Sequence, residues 1–221
     1  MREYHKINTI FKRDMANRGQ IIETQFSMPE FEFLKDNIWI FTEKVDGTNI
    51  RVMWNGKDVV FGGKTDNAQL PVFLLYKLQE LFEGTSKKQI FKEVFQKDGE
   101  IFRDVCLYGE GYGAKIQKAG SNYIPDDVDF ILIDVKIGDY WLERTNVEDI
   151  AQKLDLNVVP IIGEGTLQEM IEKTRKGFES QWGEFTAEGI VAKPKVELKT
   201  RKDERIITKI KFRDFERLKG K

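Results

Sequence analysis

The sequence is short of several residues on which common enzyme chemistries depend. It has one cysteine, Cys106, in 221 residues. No intrachain disulfide can form, which fits a reducing compartment, and cysteine-rich metal sites are excluded. It has one histidine, His5, so histidine triads, paired-histidine zinc sites and histidine phosphotransfer would all rest on a single residue near the N-terminus. No run of about 18 apolar residues is present, so no membrane span is expected. The opening MREYHKINTIFKRD is charged from its second residue and lacks the apolar stretch of a secretion signal. These features predict an intracellular, cytoplasmic protein. Strong charge of one sign is also missing, because 36 basic residues face 37 acidic ones for a net charge of -1. A nucleic-acid partner would have to be met by local basic clusters. What remains for chemistry is lysine, aspartate, glutamate and arginine.

What is present is an ordinary globular composition, 40% apolar and 33% charged. The five prolines are scattered, and no repeat, low-complexity stretch or linker interrupts the chain. A single domain over 1–221 is the expectation. Residues 38–62 read as a hairpin, with Ile50, Val52 and Trp54 alternating with Arg51 and Met53, and Asn55-Gly56 as a tight type I′ turn. Residues 71–83 read as a helix that starts at Pro71 and stops at Gly84. A second helix is expected over 87–97, with Gly99 as its stop. Strands are expected at 104–110, 129–136, 186–192 and 205–212. Thr145-x-x-Glu148 and Thr166-x-x-Glu169 both have the form of capping boxes. Hairpins, and helices not in strict alternation with strands, indicate an α+β fold with antiparallel sheets flanked by helices.

Four segments could carry chemistry. In Glu43-Lys44-Val45-Asp46-Gly47-Thr48-Asn49, Lys44 is either an exposed lysine at an Asp-Gly turn or a nucleophile. A free lysine has a pKa of about 10.4, so only about one in 2,500 is neutral at pH 7, and a nucleophilic lysine needs desolvation or nearby positive charge. In Arg205-Ile206-Ile207-Thr208-Lys209-Ile210-Lys211, the two-residue period puts Lys209 and Lys211 on one face. This is either a solvated edge strand or a phosphate clamp. In Thr186-Ala187-Glu188-Gly189-Ile190-Val191-Ala192-Lys193, Glu188 offers the carboxylate oxygen that Mg2+ prefers. An unbroken strand would put Lys193 on the face opposite Glu188. Leu107-Tyr108-Gly109-Glu110-Gly111-Tyr112-Gly113 lets backbone approach a ligand closely, with Glu110 as an acceptor for ribose hydroxyls.

Taken in order, these segments resemble the successive motifs of the covalent nucleotidyltransferases, the polynucleotide ligases and mRNA capping enzymes. The order is Lys44-x-Asp46-Gly47, Gly109-Glu110, the Phe130-to-Val135 strand, Glu188-Gly189-x-Val191-x-Lys193 and Lys209-x-Lys211. The resemblance spans roughly residues 38–212. It is closest to the bacteriophage type 2 RNA ligases, relatives of the RNA-editing ligases. The pointers are Gly47-Thr48-Asn49, Tyr108-Gly109-Glu110 running on to Gly113-x-x-Ile116-Gln117-Lys118, and Phe185-Thr186-Ala187-Glu188-Gly189. DNA ligases and capping enzymes usually carry arginine where Asn49 stands. Lys64, in Gly63-Lys64-Thr65-Asp66-Asn67, departs from the arginine usual in that family; it keeps the charge and loses the bidentate fork.

The resemblance implies an ATP-grasp-like adenylyltransferase fold and an ATP-dependent RNA ligase of RNA repair. Lys44 would attack the α-phosphate of ATP and carry AMP. Glu43 would line the adenine, and Phe130 would stack on it unless it is an ordinary core aromatic. Asn49 and Lys64 would meet the nucleotide or the 5′-phosphate, and Glu110 the ribose. Glu188 would place Mg2+ or Mn2+, and Lys209 and Lys211 would hold the α-phosphate. RNA ends or a nicked RNA duplex would be the substrate. Type 2 ligases usually continue into a C-terminal domain, and other ligases into an OB-fold. Neither is expected in the ten residues after Lys211, and the expectation is that a partner protein, or the basic segment with Lys6, Lys12, Arg13 and Arg18, supplies those contacts. A DNA ligase, a capping-like guanylyltransferase and a non-catalytic binder of RNA ends are the alternatives.

Overall fold

The computed structural model describes residues 3–219. They fall into two compact units. One is Asp46–Val159 together with Glu3 and Tyr4, and the other joins His5–Val45 to the chain from Pro160 onward. The α+β class with antiparallel sheets is as expected. Among the described residues no helix is long and apolar enough to cross a membrane.

The Asp46–Val159 unit is built on a sheet of strands Tyr140–Trp141, Val128–Ile137, Val105–Gly113, Thr48–Trp54 and Val59–Gly62, in that order, with Asn157–Val158 added alongside Val128–Ile137. The two-residue period of the long strands sorts their side chains. Ile50, Val52, Trp54, Leu107, Phe130 and Leu132 face a core completed by the helices Val72–Phe82, Thr85–Val94 and Arg144–Leu154. Asn49, Arg51, Tyr108 and Glu110 alternate onto the other face.

Local chemistry departs from expectation at three places in this unit. The hairpin covers only 48–62, because Trp39–Glu43 pairs in the other sheet. Its turn is a four-residue loop, since Trp54 lies opposite Val59. Asn55 serves there as an acceptor, its Oδ1 taking the Lys57 and Asp58 amides at 2.9 and 2.8 Å. The two-residue turn sits instead at Asp98-Gly99, both with positive φ (52° and 82°), between Gln96–Lys97 and Glu100–Ile101. This hairpin ends the second helix at Val94, short of 97. The third departure is Thr145, which lies inside the first turn of Arg144–Leu154. The cap position is Glu143, with no side-chain cap bond, and Glu148 is held by Arg144 Nε at 2.7 Å instead.

The second unit carries a five-stranded sheet in the order Asn8–Thr9, Thr208–Lys211, Gly189–Pro194, Trp39–Glu43, Ile161–Gly165. Only the Asn8–Thr9 pairing is parallel. Trp39, Phe41, Ile190, Ala192 and Ile210 pack with Met170, Ile171 and Phe215 in its core. The last three come from the helices Leu167–Lys176 and Phe212–Lys219. The first of these helices opens with the expected capping box: Thr166 Oγ1 accepts from the Glu169 amide at 3.2 Å, and Glu169 Oε2 accepts from the Thr166 amide at 2.7 Å. Such a cap contributes about 1 kcal/mol.

Candidate active site

Three segments far apart in sequence converge at one end of the five-stranded sheet. Lys44 follows Trp39–Glu43, and its amide donates to the Gly189 carbonyl at 2.9 Å, carrying the pairing one step beyond the strand. Lys44 Nζ donates to Glu188 Oε2 at 2.7 Å and to the Val45 carbonyl at 3.3 Å. Lys211 Nζ lies 2.5 Å from Glu188 Oε1. One carboxylate therefore sits between two ammonium groups. The three side chains are 17%, 10% and 18% exposed, so water screens the pairs less than it would on an open surface, while a ligand can still reach them.

The local backbone explains this convergence. Gly189 lies opposite Lys211, and a Cβ there would fall 2.1 Å from the Ile210 carbonyl oxygen, so only glycine lets the strands approach this closely. The strand starts at Gly189, and Glu188 lies before it. Parity counted from Glu188 therefore fails. Val191 lies opposite Lys209, which puts Lys193 on the same sheet face as Lys209 and Lys211. The period-two reading of the last strand holds: Thr208 and Ile210 are buried, and Lys209 and Lys211 are partly exposed.

Glu43 faces the other way from its neighbour Lys44. Its buried carboxylate accepts from Ser180 Oγ at 2.6 Å and from the Gln181 amide at 2.8 Å. Burial pushes this carboxyl above the usual range, and the two hydrogen bonds oppose the shift. The structure thus places Glu43 as the anchor of the hairpin formed by Glu179–Ser180 and Gly183–Thr186.

The other unit holds the remaining candidates. Asn49 lies directly opposite Glu110, so the two side chains share a face. Asn49 Oδ1 is buried with no hydrogen-bond partner in the protein, an acceptor left for a ligand or a water to satisfy. Phe130 is not brought together with them. It lies opposite Gly111, on the helix-covered face, and is 1% exposed. Its ring meets Phe82 edge-on at 5.4 Å and fills the space beside Gly109, where a Cβ would come within 2.3 Å of it. The residue opposite Glu110 on this strand is Ile131. The core reading of Phe130 replaces the stacking one, because a ring committed to the core cannot stack on a ligand at the other face. Lys64 is exposed in the loop after Val59–Gly62. Sequence reasoning missed Arg51. It reads there as an outward residue of an alternating strand, yet it is fully buried. The available signal was a charged residue inside Ile50-Arg51-Val52-Met53-Trp54, a run otherwise apolar.

The fold is a sheet-based α+β one, with a lysine, a carboxylate and a second lysine set together at its strand ends. The comparisons with known proteins narrow the class. The RNA ligase family profile matches residues 37–211, and the chain belongs to that family. No curated protein sequence matches. Among solved structures, a Naegleria gruberi RNA ligase with ATP and Mn superposes with a TM-score of 0.65 at 16% identity, over 100% of this chain and 64% of that one. The same organism's RNA ligase with PPi gives 0.64 at 17% identity, over 99% and 60%. An AMP and Mn form gives 0.64 at 16%, again over 99% and 60%. This likeness establishes the fold, and the chain spans under two thirds of the length of these relatives.

Proposed function

We propose that this chain is the nucleotidyl-transferring part of an ATP-dependent RNA ligase, with Lys44 as the residue that carries AMP. The observation that carries the reading is the Lys44–Glu188–Lys211 cluster. Lys44 gives up one proton to solvent to become a neutral amine, and its Nζ attacks the α-phosphorus of ATP. The N–P bond forms as the bond from that phosphorus to the bridging oxygen breaks. Pyrophosphate leaves with the electron pair, and a second amine proton passes to solvent. Glu188 holds Lys44 before attack. Lys211 and Lys209 supply positive charge where negative charge builds on the α-phosphate oxygens. Among the described residues no group of three or more acidic, histidine or cysteine side chains could cage a metal. Glu188 would offer Mg2+ or Mn2+ a carboxylate oxygen, and the cation would supply positive charge for the leaving pyrophosphate.

Glu110 takes the ribose, and the unsatisfied Asn49 Oδ1 together with Lys64 meets the nucleotide or the 5′-phosphate. AMP then passes from Lys44 to the 5′-phosphate of RNA, breaking the N–P bond and forming a phosphoanhydride. A 3′-hydroxyl displaces AMP and closes the RNA. RNA ends or a nicked RNA duplex are the substrates in this reading, a partner protein supplies contacts beyond this unit, and the cytoplasm supplies ATP. Incubation with radiolabelled ATP and Mg2+ or Mn2+ is expected to give a covalent, phosphatase-resistant adduct that is labile to acid as a phosphoramidate is, that Lys44→Ala abolishes and that GTP does not give. No adduct with the unaltered chain overturns the reading.

A further inference from the structure

Arg51 lies on the same face as Asn49, two residues along the strand, and is fully buried. A guanidinium stays charged in a protein, so its donors need acceptors. Nε donates to the Gly63 carbonyl at 2.8 Å, and Nη2 donates to Asp66 Oδ1 at 2.8 Å. These two acceptors flank Lys64 and Thr65. Nη1 is buried and has no partner. A buried arginine with an unmatched donor is a weak stabiliser, and an apolar side chain of similar size often serves packing as well. No apolar side chain could hold both ends of Gly63–Asp66. Lys64 itself is exposed, and its ammonium is a point charge on a flexible stem without the fork of arginine. Fixing the backbone beneath such a side chain removes part of the entropy lost when it meets a phosphate.

We propose that Arg51 is a positioning residue for Lys64: its guanidinium fixes the Gly63–Asp66 loop so that the Lys64 ammonium is presented to the nucleotide or to the RNA 5′-phosphate. The inference rests on the function proposed above. Arg51 touches no reacting atom; it acts through the loop. Asp66 is the other half of the brace, and its side chain is exposed, so it can be altered without disturbing the core.

A double-mutant cycle on the full chain tests this. Two rates are read as a function of ATP: formation of lysyl-AMP, and transfer of AMP to a 5′-phosphorylated RNA. Lys64→Ala identifies the step that Lys64 serves. Arg51→Met and Asp66→Ala should each slow that step, or raise its KM for ATP, about tenfold in the unaltered background, and change little once Lys64 is alanine. Arg51→Lys should not restore the rate, since one ammonium cannot bind both acceptors. Should Arg51→Met fail to fold, the Asp66→Ala cycle decides. Equal effects with and without Lys64, no effect of Asp66→Ala, or no step slowed by Lys64→Ala overturns the inference while leaving the adenylylation reading intact. Absence of lysyl-AMP from the unaltered chain overturns both.

Discussion

The two compact units present their polar residues in opposite ways. The five-stranded sheet gathers charge from three distant segments at its strand ends, where Lys44 and Lys211 close on Glu188. The sheet of the Asp46–Val159 unit keeps most of its candidates within paired strands, as the neighbour pair Asn49 and Glu110 and the braced Arg51. One arrangement brings partly exposed cations to a single anion. The other fixes side chains in a rigid register, leaving an unsatisfied buried acceptor on Asn49 and an unsatisfied donor on Arg51. The first suits neutralising charge that appears during a reaction. The second suits recognition of a shape present before the reaction starts.

Substitutions that act on one arrangement alone can break or sharpen this contrast. The largest effect is expected at Lys211. Lys211→Ala should slow lysyl-AMP formation by about 10²–10³-fold, read from label incorporation under single turnover, with a thermal midpoint close to that of the unaltered chain. A rate within a few-fold of the unaltered one would place the reacting charge elsewhere. Phe130→Leu should do the reverse. Stability should fall by roughly 1–3 kcal/mol in urea unfolding, while the KM for ATP stays unchanged. A KM rise without a stability loss would return Phe130 to the ligand.

The smallest effect concerns Glu43. Burial raises its folded-state pKa above the unfolded value, so its stabilising contribution is fully present below the ordinary glutamate range and is lost as pH rises through the folded value. The stability of the unaltered chain relative to Glu43→Gln should therefore increase as pH is lowered from neutrality toward that range, as read by urea unfolding at several pH values. A flat difference would mean that the carboxyl is not held away from water.

Much of this was legible in the sequence where local pattern and tertiary structure agree. The helix at Val72–Phe82, the Thr166 capping box and the alternation of Thr208–Lys211 all follow from spacing alone. The Lys44, Glu188 and Lys211 cluster followed from motif order, with the residues brought together by strand pairing. The misreadings arose where a contact distant in sequence outweighed the local signal. Residues 38–62 carry an alternation that fits one hairpin, but Trp39–Glu43 finds better partners in Ile161–Gly165 and Gly189–Pro194. Asn55-Gly56 has the residues of a tight turn, but the register of Trp54 with Val59 requires a longer loop. Phe130 could stack or pack by sequence alone. The packing of Phe82 from a helix some fifty residues away decides it, and no local pattern carries that information.

The Asp46–Val159 unit interrupts the other unit in the chain, and the two ends of the interruption are tied where the Glu43 amide donates to the Pro160 carbonyl at 3.2 Å. During synthesis the interrupting segment leaves the ribosome whole, while Trp39–Glu43 waits for both of its neighbouring strands to be made. Lys44 is thus translated among the first parts of the site, yet it has no counter-ion until residue 188 arrives and no second lysine until residue 211. A nascent chain stalled near residue 160 would leave Trp39–Glu43 unpaired on both sides next to the proposed nucleophile, and the order of translation itself would keep the site silent until the last strand is in place.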